Sequence, residues 1–435
     1  MTLPPLPLDR PVLAFYGDDF TGSGAVMEVL SFAGLPTVLL LEPPTAELVA
    51  RFPGARAIGL AGDARTRSPG WMRVELPAIF AGLRALGAPI LHYKVCSTLD
   101  SAPHVGSIGA AAEIGLADGG IAPLLVAAPR IGRWQAFGTL FARASDGIHR
   151  LDRHPTMAVH PVTPMNEADV RRHLARQTAL GLGLIDLVDL EAGRGAARLA
   201  EERARGTRIV ALDVIDDETL AAAGALIWGE RPGFVIGSQG VEYALVAAWR
   251  AAGLLPAAEA PKPLASVERL AVVSGSCSPV TAAQIAHAEA AGFDIIDVAA
   301  SVPDWTAAAD ASLAALAGGR SPLVATARGM SDPGVADGAA LGAGLGRLLA
   351  RLVREAGLAR VVVAGGDTSS HAARALGLVA LTAQAPVAPG AGLLRGHRRE
   401  GGTVEIVLKG GQMGPPDFFV RLRDGQATAG GAAAA

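Results

Sequence analysis

The chain has 435 residues, a formal net charge of −3, 50% hydrophobic residues and 18% charged residues. This composition is typical of a globular protein with two or three domains, and the charge argues against a protein built to bind nucleic acid or an acidic membrane surface. Because the sequence has only two cysteines, no leader-like start and no apolar stretch long enough to span a bilayer, we expect a soluble, cytoplasmic chain.

An acidic pair follows the first predicted strand. Residues 12–15 form an apolar run and residues 21–32 have apolar side chains at helical spacing, so Asp18 and Asp19 fall in a strand-to-helix turn. Ligands of open α/β sheets bind at this edge, where the N–H groups of a helix start favour anions. The pair is therefore a candidate base or metal tether. Simple capping of the helix by one carboxylate is the alternative.

Polar and cationic side chains follow three further strands of the N-terminal half. Such groups suit a small hydroxylated carboxylate, because Lys and Arg bind the acid group and hydroxyl side chains bind the sugar hydroxyls. Ordinary surface solvation is the alternative interpretation. The candidates are Arg65, Lys94, Ser97, Thr98, Arg130 and Arg133.

A histidine-rich segment at residues 149–160 is the densest group of metal-ligand side chains. Its spacing matches neither a His-Glu-x-x-His helix nor a Cys/His zinc module, and its prolines indicate a loop. We therefore assign no metal ligands and expect a loop that contacts a ligand or is structural.

Alternating strand and helix patterns predict an α/β protein of two lobes, each a mostly parallel sheet flanked by helices, with a cleft between them. A Pro/Ala-rich break near residues 254–263 is typical of a linker. We expect an N-terminal substrate domain at 1–255, a linker at 256–266, a C-terminal nucleotide domain at 267–424 and a low-complexity, disordered tail at 425–435.

Three turns rich in Gly and Ser each follow a hydrophobic strand in the C-terminal lobe. Glycines let the backbone approach a phosphate closely, and a lysine adds positive charge, so the turns predict a nucleotide cradle. Walker, dinucleotide and protein-kinase signatures do not occur, which indicates a different class of nucleotide site. Ser278 is also expected to cap a helix. The candidate ATP ligands are Ser276, Ser278, Gly365, Gly366, Asp367, Thr368, Lys409, Gly410 and Gly411.

Taken in order, these motifs resemble those of the four-carbon acid sugar kinases over nearly the whole chain. The resemblance implies a sugar-acid-binding N-terminal domain, a nucleotide-binding C-terminal domain and phosphorylation of a short acid sugar by ATP with Mg²⁺. It rests on Gly17-Asp18-Asp19-Phe20-Thr21-Gly22, Lys94 with Ser97-Thr98-Leu99, Gly237-Ser238-Gln239-Gly240, Ser274-Gly275-Ser276-Cys277-Ser278, Gly365-Gly366-Asp367-Thr368-Ser369, and Lys409-Gly410-Gly411-Gln412 with Gly414.

The resemblance also implies site roles, with one departure from the family pattern. Ser276, the turn at residues 365–368 and Gly411 correspond to ATP contacts, and Asp18, Asp19 and Lys94 to catalytic or substrate-side residues. The usual Lys-x-Asp-Ser-Thr-Leu-Arg-Gly is altered at residues 94–101, where an expected Asp is Cys96 and an expected Arg is Asp100. The substrate is therefore expected to differ from threonate or 3-oxo-tetronate, for example a branched acid such as 3-oxo-isoapionate.

The mechanism that follows is transfer of the γ-phosphoryl group from Mg-ATP, bound on the glycine loops, to a hydroxyl of the acid. Asp19 is expected to orient and deprotonate this hydroxyl, and Lys409 to neutralise phosphate charge. The order of Asp18 and Asp19 in this role stays open. Two other functions also stay open: a metal-dependent lyase or aldolase that uses the histidine segment, and a non-catalytic sensor of nucleotide or sugar acid. The expected partners are the sugar acid and ATP, with no nucleic acid and no membrane, in a monomer or a homo-oligomer.

Overall fold

The computed structural model describes residues 2–259, 263–329, 338–388 and 390–426. Contacts between Cα atoms divide the chain into two compact units. The first comprises Met1–Thr37 and Pro43–Ala258, and the second comprises Val38–Glu42 and Glu259–Ala435. A short segment from the N-terminal part of the sequence therefore belongs, by its contacts, to the C-terminal unit.

The helices and strands of the N-terminal half alternate along the chain. They are β1 (Leu13–Gly17), α1 (Phe20–Phe32), β2 (Thr37–Leu40), α2 (Ala46–Ala50), β3 (Ala57–Ala61), α3 (Pro69–Arg84), β4 (Ile90–Lys94), α4 (Ile108–Gly115), β5 (Ala122–Leu125), β6 (Arg133–Ala136), β7 (Thr139–Ala144), β8 (Gly147–Arg150), α5 (Val170–Leu174), β9 (Leu182–Ile185), α6 (Leu187–Glu191), α7 (Gly195–Ala204), β10 (Ile209–Leu212), α8 (Asp217–Glu230), β11 (Gly233–Gly237) and α9 (Gly240–Ala251).

The first unit is built on a parallel sheet with the strand order β3-β1-β4-β11-β5-β10-β9. Strands β1, β4, β5 and β10 are buried over their whole length. Burial on both faces is why β1, β5 and β10 read in the sequence as continuous apolar runs, whereas β4 also carries His92 and Lys94. Because neighbouring strands are parallel and in register, the carboxyl ends of β1 and β4 lie side by side, with Gly17 opposite Lys94.

The second unit follows the same alternation at first and then changes. Its elements are β12 (Ala271–Ser274), α10 (Pro279–Ala290), β13 (Asp294–Asp297), α11 (Trp305–Ala317), β14 (Pro322–Ala325), α12 (Gly338–Ala356), β15 (Arg360–Ala364), α13 (Gly366–Ala375), β16 (Leu378–Ala388), β17 (Ala391–Arg398), β18 (Thr403–Lys409) and α14 (Phe418–Asp424).

The sheet of the second unit has the order β13-β14-β12-β15-β18-β17-β16-β2. The pairs from β13 to β18 are parallel, and those from β18 to β2 are antiparallel. The prediction of mostly parallel sheets flanked by helices is thus confirmed for both units. No helix in the described ranges is both long and apolar enough to cross a membrane.

Two antiparallel parts do not follow from the sequence pattern. One is the small sheet β6-β7-β8, whose strands have only four to six residues. Gly138, which precedes β7, and Gly147, which begins β8, have φ of +79° and +148°. The other is the hairpin of β16 and β17 together with β2. Pairing between distant segments such as Val38 and Thr382 leaves no local signal in the sequence.

Candidate functional site

The acidic turn, residues 17–22, connects β1 to α1 at the carboxyl edge of the first sheet. Asp19 is the N-cap of α1, because its Oδ2 accepts a hydrogen bond of 3.1 Å from the N–H of Gly22. The hydroxyl of Ser23 donates to the backbone oxygen of Asp19 at 2.6 Å. The capping interpretation is therefore correct for Asp19, and it leaves Asp18 unexplained.

Arg65 and Lys94 neutralise the two carboxylates. Nη2 of Arg65 donates to Oδ1 of Asp18 at 2.7 Å and to Oδ1 of Asp19 at 2.6 Å. Nε of Arg65 also reaches Oδ2 of Asp18 at 3.3 Å, and Nζ of Lys94 lies 3.4 Å from Oδ1 of Asp19. Two cations thus match two anions, and the cluster has no formal net charge.

Gly22 makes this cluster sterically feasible. A Cβ atom at this position would stand 1.6 Å from Nζ of Lys94 and 2.3 Å from Oδ1 of Asp19. Any larger residue would displace the ammonium group from the carboxylate. The glycine of the motif is therefore required for close approach and not for an unusual φ angle.

The two carboxylates differ in exposure and in acidity. The side chain of Asp18 is 1% exposed, and burial raises its pKa despite the charge of Arg65. The side chain of Asp19 is 25% exposed; burial opposes its ionisation, but the charges of Lys94 and Arg65 and the Gly22 N–H lower its pKa to about 2. Asp19 is therefore held ionised at neutral pH and is the more exposed of the two carboxylates.

The segment after β4 forms a polar chain beside the acidic turn. The hydroxyl of Thr98 donates to Oδ1 of Asp100 at 2.8 Å, and Sγ of Cys96 lies 3.0 Å from that hydroxyl. Burial raises the pKa of the Cys96 thiol, partly offset by the charge of Arg65. Leu99 holds this turn in a left-handed conformation with φ of +53°. Within the described ranges, Ser97 makes no side-chain hydrogen bond.

The two predicted arginines of the β5 to β6 connection have different surroundings. Arg130 forms an ion pair with Asp217 at 3.4 Å and lies over the ring of Tyr243 at 5.4 Å. Arg133 donates from Nη1 to backbone oxygens, including that of Gly132 at 2.9 Å, and the described residues provide it no ion pair. Its buried Nε also lacks a partner there. Arg133 is therefore a half-buried cation with unused donors.

Arg133 is electrostatically coupled to the segment after β4. Burial lowers the pKa of Arg133, and the groups that oppose this shift are Cys96 and Asp100. Its guanidinium therefore lies in the same electrostatic environment as the polar chain of Cys96, Thr98 and Asp100.

A buried ionisable pair, which sequence reasoning missed, fixes the neighbouring strand ends. His92 Nδ1 lies 2.6 Å from Oε1 of Glu242, and its Nε2 lies 3.1 Å from the carbonyl oxygen of Gly237. The same carbonyl accepts from the N–H of Val95 at 2.7 Å, one residue after Lys94. His92 and Glu242 are far apart in the sequence and lie within apolar runs, so periodicity could not have paired them.

The three Gly/Ser-rich turns of the second unit meet at one edge of its sheet. Strands β12, β15 and β18 are adjacent and parallel, so their carboxyl ends lie together. The N–H of Gly275 donates to the carbonyl of Ala364 at 3.0 Å, and the N–H of Gly365 donates to that of Lys409 at 2.9 Å. We call residues 274–278, 364–368 and 409–415 the glycine-loop cluster. The predicted convergence of the loops is present.

Hydroxyl groups lie against the glycines of this cluster. A Cβ on Gly275 would stand 2.4 Å from Oγ1 of Thr368, and one on Gly411 would stand 2.4 Å from Oγ of Ser276. Gly365 has φ of +124°, which only glycine adopts readily, and it immediately precedes α13. Helix α13 begins at Gly366. The side chain of Asp367 lies outside the described part of the structure.

The helix cap predicted at Ser278 is present. It caps α10 by accepting from the N–H of Val280 at 3.2 Å, with Pro279 in the first turn. The hydroxyl of Ser276 accepts from the N–H of Ser278 at 3.2 Å. Both hydroxyls keep their own hydrogen for another acceptor.

The ammonium of Lys409 is not on the surface. The side chain is fully buried, Nζ donates to Oγ1 of Thr281 at 3.1 Å, and the rings of Phe418 and Phe419 lie 6.0 and 5.8 Å away. Burial lowers the pKa of this amine to about 8. Lys409, which was expected to neutralise phosphate charge, is thus an enclosed cation beneath the glycine loop, because the end of β18 is buried on both faces.

The histidine segment makes local contacts. Nδ1 of His154 accepts from the N–H groups of Thr156 and Met157 at 3.2 and 3.3 Å, and Nδ1 of His160 accepts from the N–H of Thr163 at 3.1 Å. Among the residues that the structure describes, no group of three or more His, Cys, Asp or Glu side chains is arranged to hold a metal ion. The segment is organised as a set of turns.

Comparison with known proteins agrees with this layout. The family models described as "Sugar-binding N-terminal domain" and "Nucleotide-binding C-terminal domain" match residues 13–245 and 271–419. A 3-oxo-isoapionate kinase of Paraburkholderia graminis is 49% identical over 95% of this chain and 94% of its own. A 3-oxo-tetronate kinase of Cupriavidus necator is 32% identical over 94% of this chain and 96% of its own. A solved Salmonella typhimurium structure has a TM-score of 0.79 and 25% identity, covering 94% of this chain and 98% of that one.

Two α/β units with a sugar-binding and a nucleotide-binding match define a kinase of small sugar acids. The chain belongs to the four-carbon acid sugar kinase family. The predicted enzyme class, a sugar-acid kinase that uses ATP, is confirmed.

The enclosed Lys409 predicts a specific dependence of stability on pH. Its pKa falls from 10.5 in the unfolded chain to about 8, so between these values the unfolded chain binds a proton that the folded protein does not. The contribution of Lys409 to the unfolding free energy therefore rises with pH between about 8 and 10.5. Relative to Lys409→Met, the wild type should gain on the order of 2 kcal/mol of unfolding free energy between pH 7.5 and 10.

Urea unfolding of both proteins at the two pH values measures this gain. Taking the difference between wild type and Lys409→Met cancels the other titrating groups. A difference that stays constant over this range would show that Lys409 titrates normally.

Proposed function

We propose that the enzyme phosphorylates 3-oxo-isoapionate with ATP. The observation that supports this substrate is the 49% identity to a 3-oxo-isoapionate kinase, against 32% to a 3-oxo-tetronate kinase, at nearly equal coverage. The hydroxyl oxygen of the acid forms a bond to the γ-phosphorus while the bond to ADP breaks, and the hydroxyl proton is released.

On the nucleotide side, the glycine-loop cluster is assigned to ATP. Its glycines leave room for close approach, and Ser276 and Thr368 are hydroxyls placed against them. Mg²⁺ is assigned to the ATP phosphates, whose charge it would neutralise. The carboxylates of Asp18 and Asp19 do not fit as its main ligands, because Arg65 and Lys94 already neutralise them. Oδ2 of Asp19 accepts only from the Gly22 N–H among the described residues and keeps a second lone pair for a hydroxyl.

On the acceptor side, Asp19 is assigned to the hydroxyl that is phosphorylated. It is more exposed than Asp18, and a pKa of about 2 keeps it ionised at neutral pH. Such an acidic carboxylate is a weak base. Asp19 is therefore better suited to orient the hydroxyl and to accept its proton late in the transfer than to remove the proton early. Lys94 balances the charge of Asp19, and Ser97 and Thr98 are assigned to the hydroxyls of the acid.

Arg133 is assigned to the carboxylate of the sugar acid. Arg65 and Lys94 are matched by Asp18 and Asp19, and Arg130 is paired with Asp217. Of the predicted cations, Arg133 has unused donors and a desolvated guanidinium, the features that favour a charge-assisted bond to a carboxylate.

The proposed substrate is tested by ADP release with 3-oxo-isoapionate, 3-oxo-tetronates and threonate. We expect kcat/KM to be highest for 3-oxo-isoapionate, by about 10-fold or more over the others, as differential contacts of one to two kcal/mol provide. A higher value for a 3-oxo-tetronate would move the assignment to that substrate. Absence of ADP with the whole set would contradict the proposed function.

Asp19→Asn should lower kcat by about 10²- to 10⁴-fold and leave the KM for ATP unchanged, because it removes the group that orients the hydroxyl. Asp18→Asn should chiefly lower the unfolding free energy, by about 2 kcal/mol, through its lost bonds to Arg65. Steady-state kinetics and thermal unfolding of both variants separate the two effects. If Asp18→Asn abolished turnover while Asp19→Asn remained active, the roles would be reversed.

Arg133→Met should raise the KM for the sugar acid by about 10- to 100-fold, since a charge-assisted bond is lost, with little change in the KM for ATP. Arg130→Met is the matched control from the same connection, and its effect should be smaller because Arg130 already has partners. Equal KM values for Arg133→Met and wild type would exclude the carboxylate assignment.

A further inference from the structure

We propose that Thr281 and Gln284 of helix α10 are positioning residues that orient the backbone of residues 410–415 toward the nucleotide phosphates. This inference rests on the proposed function in one respect, the binding of ATP at the glycine-loop cluster. Neither side chain has a signal in the sequence, because each is one polar residue in an Ala-rich helix.

Both side chains donate to backbone oxygens of the third glycine loop. The hydroxyl of Thr281 donates to the carbonyl of Gly411 at 2.8 Å. Nε2 of Gln284 contacts the carbonyl oxygens of Met413, Gly414 and Pro415 at 2.9, 3.0 and 3.1 Å. Both side chains are fully buried, so water does not compete for these bonds.

These bonds fix the direction of the peptide units. A trans peptide is planar, and its N–H points away from its C=O. Because the carbonyls of Gly411 and Met413 point toward α10, the N–H groups of Gln412 and Gly414 point away from it. Of the N–H groups in the loop, the described ranges show an acceptor only for Met413, the carbonyl of Gly410 at 3.2 Å. The outward N–H groups are thus available to an anion.

Lys409 determines the direction in which the hydroxyl of Thr281 donates its hydrogen bond. Its Nζ donates to Oγ1 of Thr281 at 3.1 Å, and an ammonium cannot accept. The single hydroxyl hydrogen of Thr281 is therefore directed to the carbonyl of Gly411. Lys409 and Thr281 together act on the loop from beneath, which accounts for a buried lysine in a motif that otherwise predicts a direct phosphate contact.

The test compares Thr281→Val and Gln284→Met with two controls. Val and Met keep the approximate size but remove the donors. Thr281→Ser keeps the hydroxyl, and His287→Ala changes an exposed residue of the same helix. We expect Thr281→Val and Gln284→Met to raise the Kd for ATP by calorimetry, and the KM for ATP, by about 10- to 100-fold. Thr281→Ser and His287→Ala should stay within about threefold of wild type.

A purely structural role would lower the unfolding temperature and the active fraction, without a rise in the KM for ATP alone. The KM for the sugar acid should therefore stay unchanged in each folded variant. If Gln284→Met does not fold, comparison of Thr281→Val with Thr281→Ser still tests the inference. Unchanged ATP affinity in a folded Thr281→Val would overturn the inference and leave the proposed function intact.

The failure of the proposed function has a different signature. If the wild type bound no ATP, both the proposed function and the further inference would be contradicted. A wild type that binds ATP but phosphorylates none of the acids would contradict the proposed function, while an ATP affinity lowered in Thr281→Val and restored in Thr281→Ser would still support the inference.

Discussion

The guanidinium of Arg65 lies between two carboxylates that would otherwise repel each other at the end of the first strand. It reaches both Asp18 and Asp19 within 2.7 Å, and one of these carboxylates is almost fully enclosed. Removing the cation would leave an unpaired charge in a buried place, which is far more costly than the pair itself is stabilising. Arg65 is the one side chain that contacts both carboxylates, so the geometry of the acidic pair depends on it, while the Gly22 N–H and Lys94 also hold Asp19.

The same pairing has a consequence for anion binding. With Arg65 and Lys94 matched by Asp18 and Asp19, the acidic turn offers no net positive charge to a sugar acid. The carboxylate of the acid would need another cation, and Arg133, whose Nε has no partner among the described residues, is the one proposed for it. The glycine-loop cluster has a different arrangement, since backbone carbonyls are bound by Thr281 and Gln284 and the opposite N–H groups face outward. Under the proposed assignments, two anions would be recognised by different chemistry in a chain of net charge −3.

Local patterns explain why much of this could be predicted. Apolar runs locate the parallel strands, Asp19 and Ser278 are preferred caps, and parallel strands bring their following loops to one edge. The pairing of Arg65 with Asp18 joins residues far apart in sequence, and nothing in either segment specifies it. Lys409 lies on a strand buried on both faces, where alternation no longer tells which side chains reach solvent. Tertiary contacts decide such positions, so the sequence alone does not predict that Lys409 is enclosed.

The enclosed ammonium of Lys409 gives the second unit an energetic link between folding and ligand binding. Burial without a carboxylate partner in the described ranges disfavours the charged form, and one hydroxyl and two aromatic rings compensate only in part. A phosphate bound on the outer side of the loop would favour the charged form again, because opposite charges interact strongly where water is excluded. Part of the free energy lost by burying Lys409 would then be regained when ATP binds, and the bound state would be stabilised relative to the free one.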